Sequence, residues 1–268
     1  MTARTAICSL ARATIEDKPI LPDTAAKTAT PEACMICGGT HFTALGAKNG
    51  YNLFRCGDCR LSFVHPMPGE SEIAAIYEKY VLNDSYKRRA TRKIIRSTRR
   101  LRRYLHMAPG KRFLDMGCSI GTSVEAARRL GCDAYGIDID ESSIGIARDL
   151  FPDGHYHAGP IESMPPAWGQ FDFLFSVEVL EHLPDPHAYF QALAPRARSG
   201  ALLYLTTPDG GHWRVPRTFT EWEHVNPPQH LVFYNRDAIT RFLDRHGFDV
   251  VKFEWNLKPG LKLLARKR

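Results

Sequence analysis

Four cysteines near the beginning of the sequence have the types and spacing of metal ligands. They form two C-x2-C pairs, Cys34 with Cys37 and Cys56 with Cys59; Gly38 directly follows the first pair, and Gly57 lies within the second. Two such pairs can surround one Zn²⁺ tetrahedrally, whereas a redox-active dithiol, the alternative, needs only one pair. We therefore predict a zinc ribbon over residues 31–69, in which the four thiolates hold a structural Zn²⁺.

A glycine-bearing loop is the second feature with chemical potential. It reads D-M-G-C-S-I-G, covers residues 115–121 and separates an apolar run from an amphipathic run. Gly117 and Gly121 allow a ligand to approach the backbone because neither residue has a Cβ. A dinucleotide-binding fingerprint would have glycine at the positions of Ser119 and Thr122. The loop therefore does not match a pyrophosphate site.

Two acids narrow the choice of ligand. Asp115 begins the loop, where it would repel a pyrophosphate but attract the cationic group of an amino acid. Asp138 ends the next predicted strand, where a carboxylate can accept hydrogen bonds from both ribose hydroxyls. A ligand with a ribose, an amino acid and no phosphate is S-adenosylmethionine (SAM). The alternative is that the glycines of the loop serve only the packing of strand against helix.

Glu178, Glu181 and His182 follow the predicted strand FDFLFSV. A short helical turn would bring the three side chains together, because residues i and i+3 are neighbours on a helix. Together they could bind a divalent cation that lowers the pKa of an acceptor hydroxyl, and His182 could instead act as a general base. The alternative is that the two acids only shape the loop and cap the following helix.

An aromatic- and histidine-rich segment, residues 213–235, follows the next predicted strand. Trp222, His224, His230 and Tyr234 are its candidates for contact with a substrate, or they are packed and surface residues of a long loop. We assign His230 to the candidate catalytic residues, beside His182 and Glu181.

A basic segment precedes the glycine loop. From Lys87 to Arg112 there are twelve Lys or Arg and no Asp or Glu. This segment could bind RNA, an anionic substrate or an anionic lipid surface. Alternatively, it is a solvated helix face that packs through Ile94, Leu101 and Leu105.

The elements that position these residues follow from periodicity. Strand and helix patterns alternate from residue 109 onward, with Asp140 and Asn235 as predicted N-caps, and this alternation predicts a doubly wound, mostly parallel α/β sheet. We divide the chain into a disordered tail (1–30), the zinc ribbon (31–69), a basic helical lid or linker (70–108) and a catalytic domain (109–268). No apolar run approaches the roughly 18 residues of a membrane span, and we expect a cytoplasmic protein.

The order and spacing of these motifs resemble a known family. The segments FLDMGCSIG, AYGIDID, FDFLFSVEVLEHLPDP, TTPDG and GFDVV are similar to those of the class I SAM-dependent methyltransferases, over about residues 110 to 255. The resemblance implies a Rossmann-like sheet of seven strands, the last antiparallel, here preceded by the ribbon and the lid. The ribbon resembles the N-terminal module of bacterial methyltransferases of secondary and glycan metabolism.

The resemblance also implies roles for individual residues. Asp115, Gly117 and Gly121 would border the methionine and ribose of SAM, and Asp138 would bind the ribose. Ser119 stands where glycine is commoner. The remaining cofactor candidates are Ile139 and Ile161 beside the adenine, Glu162 near its amino group, and Ser176. In ubiquinone-pathway and small-RNA methyltransferases, E-x-x-E-H segments similar to residues 178–182 hold a metal ion.

We therefore expect a SAM-dependent methyltransferase that methylates an oxygen of a small or phosphate-bearing metabolite. One alternative is an RNA methyltransferase that uses the ribbon and the basic segment to hold its substrate. Another is a non-catalytic binding module with a vestigial SAM fold.

Overall fold

A computed structural model describes residues 30–69, 72–73 and 84–268 of the chain. Apart from residue 30, the predicted disordered tail lies outside the described residues. The same holds for the first part of the predicted lid, residues 70–83, apart from residues 72 and 73. The later part of the lid is described and is helical, as the periodicity predicts.

The described residues form eleven strands and five α-helices. The strands are β1 (Phe42–Lys48), β2 (Tyr51–Cys56), β3 (Ser62–His65), β4 (Arg112–Met116), β5 (Asp133–Asp138), β6 (His155–Ala158), β7 (Phe171–Val177), β8 (Ala197–Pro208), β9 (Val232–Phe233), β10 (Phe248–Phe253) and β11 (Gly260–Lys267). The helices are α1 (Asp84–Tyr104), α2 (Thr122–Arg128), α3 (Glu141–Leu150), α4 (Pro186–Leu193) and α5 (Arg236–Arg245).

Seven strands form the main sheet in the order β10-β11-β8-β7-β4-β5-β6. All pairs from β8 to β6 are parallel, and β11 runs antiparallel to both of its neighbours. This confirms the predicted Rossmann-like sheet with an antiparallel last strand. The carboxyl ends of β4, β5 and β7 therefore meet at one edge, where such sheets bind their ligands.

Both predicted helix caps form. The Asp140 side chain accepts hydrogen bonds from the backbone N–H groups of Ser142 and Ser143 at the start of α3. The Asn235 side chain accepts one from Ala238 N at the start of α5. Each cap satisfies backbone donors that would otherwise lack partners and thereby fixes where the helix begins.

The smaller sheet has the order β1-β2-β3-β9 and joins the cysteine-bearing segment to the rest of the protein. Its fourth strand, β9, comes from the histidine-rich segment and pairs Val232 with Phe63 and Phe233 with Ser62. The sequence analysis did not predict β9. Its side chains are buried, in one hydrophobic core with both sheets.

Helix α1 packs against α2 through its apolar face. Ile94 and Leu101 are buried on this face, the Ser97 hydroxyl lies 3.0 Å from the Ser123 hydroxyl, and buried Tyr104 stacks on Tyr204 of β8. The opposite face is exposed and basic, and its arginines are Arg92, Arg96, Arg99, Arg102 and Arg103. The helix thus has both the packed face and the charged face that the sequence predicts.

Candidate functional site

The glycine loop connects β4 to α2 in a conformation that needs its glycines. Gly117 has a φ of 71° and Gly121 a φ of 74°, in the left-handed region that favours glycine. A Cβ on Gly117 would lie 2.6 Å from Val179 Cγ2, and one on Gly121 would lie 2.7 Å from the Tyr156 hydroxyl. Backbone conformation and packing therefore both require glycine here, so packing contributes to these positions alongside any approach of a ligand.

Asp138 lies at the end of β5, and its carboxylate is hydrogen-bonded to the backbone of the glycine loop and of the residues that follow β5. One carboxylate oxygen accepts the Ser119 backbone N–H at 2.7 Å, and the other accepts the Asp140 N–H at 3.0 Å. Each carboxylate oxygen can accept two hydrogen bonds, so each retains capacity for a ligand hydroxyl. Burial raises the pKa of Asp138, although these backbone hydrogen bonds partly oppose the effect.

Asp115 is buried at the end of β4. Burial, followed by repulsion from the negative charge of Asp138, raises its pKa well above the ordinary value, and a hydrogen bond from the Ser123 side chain partly opposes the rise. A buried carboxylate next to a half-buried one favours a cationic ligand, because positive charge between them would offset both the cost of burial and their mutual repulsion. The donor set therefore fits the cationic amino-acid end and the ribose of SAM.

The other predicted cofactor residues differ in their exposure. Ile139 directly follows Asp138 and is 53% exposed, an apolar surface available to a flat ring. Ile161 is buried and Glu162 is exposed in a 3₁₀ turn, residues 161–163. Ser176 is buried near the end of β7.

Tyr189 is a pocket candidate that the sequence analysis missed. It is half-buried on α4, which packs against residues 161–163. Burial raises its pKa, and the negative charges of Asp138 and Glu162 raise it further. The tyrosine therefore faces the acids of the pocket. No sequence motif marks it, since its position follows from how α4 packs.

Glu181, His182 and His230 come together at the end of β7. One ligand atom from each lies within 4.8 Å of the other two. Glu181 is fully buried and accepts the Thr207 hydroxyl at 2.9 Å on Oε2, while its Oε1 has no hydrogen-bond partner. Burial, then repulsion from Glu178, raises the pKa of Glu181 well above its ordinary value. The orphaned oxygen and its neighbours form a donor set that fits a cation.

Backbone carbonyls determine the protonation of both histidines. His182 Nδ1 donates to Gln229 O at 2.8 Å, and His230 Nδ1 donates to His224 O at 2.6 Å. Since a carbonyl can only accept, the proton of each neutral ring is on Nδ1 and the Nε2 lone pair is free. Burial lowers the pKa of His182 to about 4 and that of His230 by a smaller amount, so both rings are neutral at pH 7.

Glu178 is not among the three residues whose ligand atoms lie within 4.8 Å of one another, in contrast to the predicted Glu178, Glu181 and His182 set, although its carboxylate is close enough to raise the pKa of Glu181. Its φ of 57° turns the residue away from a helical arrangement, and its carboxylate accepts the Thr206 hydroxyl at 2.7 Å. His230, from a distant part of the chain, lies where the third donor was expected. The i, i+3 argument is wrong here because the helical turn begins only at Leu180.

The other candidates of the histidine-rich segment are mostly packed. Trp222 and Tyr234 are buried in the hydrophobic core. His224 lies beside Trp222, with 5.1 Å between ring centroids, and stacks 6.1 Å from His230. Trp222 and Tyr234 therefore agree with the packing alternative.

The four cysteines converge as the spacing predicts. Cys34 Sγ lies 3.6 Å from Cys59 Sγ, and Cys37 Sγ lies 3.5 Å from Cys56 Sγ. All four sulfurs lie within 4.8 Å of one another, and none of these cysteines forms a disulfide. Tetrahedral Zn²⁺ with bonds near 2.3 Å separates its sulfur ligands by about 3.8 Å, so the cluster fits zinc.

The cysteine module is bonded to the histidine cluster through the backbone. Val64 N on β3 donates to Leu231 O at 2.9 Å, and Leu231 N donates to Glu181 O at 2.8 Å. At the β1–β2 turn, Asn49 Nδ2 donates to Pro227 O at 2.8 Å. The cysteine module thus holds the segment that carries His230.

Comparison with known proteins places these sites in context. A profile for a methyltransferase domain matches residues 86–252. The ubiquinone biosynthesis O-methyltransferase of Aromatoleum aromaticum is 37% identical over 149 residues, which cover 54% of this chain and 58% of that protein. The enzyme of the same name from Sinorhizobium fredii is 34% identical over 173 residues, covering 57% and 69%. The chain thus spans only part of these relatives' length.

Solved structures share the fold. The 1,6-didemethyltoxoflavin-N1-methyltransferase of Burkholderia thailandensis superposes with a TM-score of 0.54 at 16% identity, covering 79% of this chain and 97% of that one. The magnesium protoporphyrin IX methyltransferase of Synechocystis gives 0.51 at 18% identity, with 74% and 94% covered. Within the described residues, no helix has the length and apolar character needed to cross a membrane.

Proposed function

The chain belongs to the class I SAM-dependent methyltransferases, and on this premise we propose that it transfers the methyl group of SAM to a hydroxyl oxygen of a small molecule. The observation that carries the proposal is the pair of acids at the carboxyl ends of adjacent strands, Asp115, which is buried, and Asp138, which is half-buried. A ligand that combines positive charge with ribose hydroxyls would offset the free-energy cost of removing these carboxylates from water.

The chain's own residues bind the cofactor and position the acceptor. Bound SAM supplies an electrophilic methyl group on a sulfonium. Asp138 would accept hydrogen bonds from the ribose hydroxyls, Asp115 would stabilise the positive charge of the amino-acid end, and Ile139 would cover the adenine. The acceptor oxygen forms a bond to the methyl carbon as the carbon–sulfur bond breaks, which leaves S-adenosylhomocysteine (SAH). Without a bound cation, a free Nε2 lone pair of His182 or His230 would accept the acceptor's proton; with a cation held by these residues, that proton would be lost to solvent.

Two metal sites are part of the proposal. The four cysteines hold a structural Zn²⁺, with no position left for a substrate. Glu181, His182 and His230 hold a divalent cation whose charge would lower the pKa of the acceptor hydroxyl. The unpartnered Oε1 of Glu181 and the two free Nε2 atoms support this second site.

We infer the chemical class of the methyl acceptor from the names of the relatives rather than from the resemblance of the zinc ribbon to other methyltransferases. Their names specify O-methylation in ubiquinone biosynthesis, which supports the expected oxygen acceptor but not a glycan or phosphate-bearing metabolite. We propose a ubiquinone-pathway hydroxyl compound as the first acceptor to test. The division into ribbon (31–69), lid (70–108) and catalytic domain (109–268) belongs to the same proposal.

Transfer of radiolabelled methyl from SAM tests the reaction. We expect label in a hydroxylated ubiquinone precursor, and loss of the label with Asp138→Ala. Label that accumulates in bulk RNA instead would favour the RNA alternative. If wild-type protein bound no SAH in calorimetry, the enzyme proposal would be wrong.

Metal analysis of purified protein tests the two sites separately. Zinc should be lost in Cys34→Ser and retained in Cys132→Ser, whose thiol is buried elsewhere. A second divalent cation should be lost in Glu181→Gln and retained in the matched control Glu178→Gln. Equal cation content in these two glutamate variants would contradict the proposed ligands.

A further inference from the structure

Two tryptophans on the acceptor side of the main sheet are largely exposed. Trp213 is 73% exposed, Trp255 is 77% exposed, and Leu257 beside it is 48% exposed. Trp213 lies in the segment after β8, and the other two lie in the loop between β10 and β11. Large apolar side chains exposed near one another mark a surface that binds something.

Hydrogen bonds join these two loops. His212 Nε2 donates to Asn256 O at 3.2 Å, and Asp209 N donates to Pro259 O at 3.3 Å. The first contact joins the residue before Trp213 to the residue between Trp255 and Leu257, and the second joins the same two loops. The three side chains therefore belong to one surface, called here the tryptophan surface.

The charge around the tryptophan surface is positive. Residues 210–220 include Arg214 and Arg217, residues 255–268 include Lys258, and neither range contains Asp or Glu. The acid just before Trp255, Glu254, is hydrogen-bonded to the Tyr104 hydroxyl. Tryptophan rings and cationic side chains together are typical of protein surfaces at the headgroup level of a bilayer.

Trp213 is less well arranged for stacking on a base of single-stranded RNA than for a lipid interface. Base recognition without sequence preference uses an aromatic ring with a free face. The Trp213 ring already has His212 stacked against it, with 5.6 Å between centroids, and the Arg214 guanidinium 4.7 Å from its centroid. Leu257 adds exposed aliphatic surface, which suits acyl chains better than bases.

The tryptophan surface borders the acceptor side of the proposed active site. The segment that carries Trp213 begins just after Thr207, whose hydroxyl holds Glu181. Gly210 N donates to Tyr234 O at 2.7 Å, which ties this segment to the one that carries His230. A partner bound at the tryptophan surface would therefore lie next to the cluster of Glu181, His182 and His230.

We propose that the tryptophan surface docks the protein on an anionic lipid bilayer. An acceptor dissolved in that bilayer would then enter the proposed active site directly from the membrane, without passing through water. This second statement rests on the proposed methyl transfer, whereas the docking itself does not.

Vesicle binding tests the docking. Phosphatidylcholine vesicles containing phosphatidylglycerol should sediment the wild-type protein, and phosphatidylcholine vesicles alone should sediment less of it. Brominated lipid should quench the fluorescence of wild-type protein through Trp213 and Trp255. The Trp213→Ser/Trp255→Ser variant should bind at least about tenfold more weakly, as expected when two apolar side chains no longer enter the interface.

Two control variants keep the test specific. Leu150→Ser removes a half-exposed leucine from α3 and should leave vesicle binding unchanged. Arg96→Ser/Arg99→Ser removes charge from α1 and should reduce binding less than the tryptophan variant does. Unchanged binding by the tryptophan variant, complete loss in the α1 variant alone, or binding of an RNA oligonucleotide but not of vesicles would each overturn the proposal. SAH titration of the same proteins separates a failure of docking from a failure of the methyltransferase function.

Discussion

Replacing Asp138 by asparagine removes one charge from the cofactor pocket with little change in shape. The carboxylate holds two backbone N–H groups, from Ser119 and Asp140. An asparagine oxygen can keep one of these hydrogen bonds, but its amide nitrogen would face the other N–H and cannot accept from it. The variant should therefore lose one hydrogen bond to the loop together with its acceptor for a ribose hydroxyl.

The substitution should change the free energy of unfolding less than the free energy of SAH binding. A hydrogen bond to a charged group contributes about 1.5–3 kcal/mol. In the free protein that loss is offset, because burial raises the pKa of Asp138 and the fold thus favours a neutral side chain. We expect the free energy of unfolding to change by no more than about 1 kcal/mol. For the ligand nothing offsets the loss, so SAH should bind about 10- to 150-fold more weakly.

Calorimetric titration with SAH and thermal unfolding should be run on wild-type protein, Asp138→Asn and Asp133→Asn. Asp133 lies at the other end of β5, where it pairs with Arg112 at 2.8 Å, so its variant makes the same chemical change away from the pocket. The reasoning is refuted if Asp138→Asn binds SAH as tightly as the Asp133 variant. It is also refuted if affinity falls only in proportion to unfolded protein.

Three further predictions follow from local geometry. Gly121→Ala should destabilise the protein by about 1–3 kcal/mol because a Cβ would meet Tyr156 at a positive φ, whereas Gly145→Ala, in open space within α3, should stabilise it by up to about 1 kcal/mol in denaturant titrations. Asn49→Gly keeps the left-handed turn but removes the hydrogen bond to Pro227, so the KM for the acceptor should rise about two- to tenfold while the Kd for SAH stays constant. SAH affinity should fall as the pH is lowered through the raised pKa values of the two pocket acids, and the unliganded protein should gain stability over that interval because its folded state favours their protonated forms.

Local signals in the sequence predict most of the fold. Asp140 and Asn235 cap their helices because capping depends on residues only two or three positions away. The buried strand β7 is apolar nearly throughout, as a strand covered on both faces must be. Strand β9 could not be predicted this way, since it has two residues and exists only through pairing with β3.

In the candidate site, too, the residues marked by local signals could be predicted, and those placed by long-range packing could not. Asp115 and Asp138 could be found because each ends a strand, and adjacent parallel strands bring their ends together. His230 reaches Glu181 only through the path of a long connection, so its place as the third donor was not predictable from spacing. Glu178 was misplaced because its positive φ breaks the helical spacing on which the prediction depended.

The cysteine module explains how that long connection is ordered. Irregular segments longer than about 12–15 residues are uncommon within a domain unless something else holds them. Here the residues between β8 and α5 are held by three contacts with other parts of the chain. Strand β9 pairs with β3, Pro227 O accepts a hydrogen bond from Asn49, and Leu231 N donates one to Glu181 O. Loss of the zinc ligands should therefore disturb the acceptor side first, while Asp115 and Asp138, which depend on β4 and β5, keep their geometry. A structural metal that contacts no substrate would then determine acceptor affinity and leave SAH affinity almost unchanged.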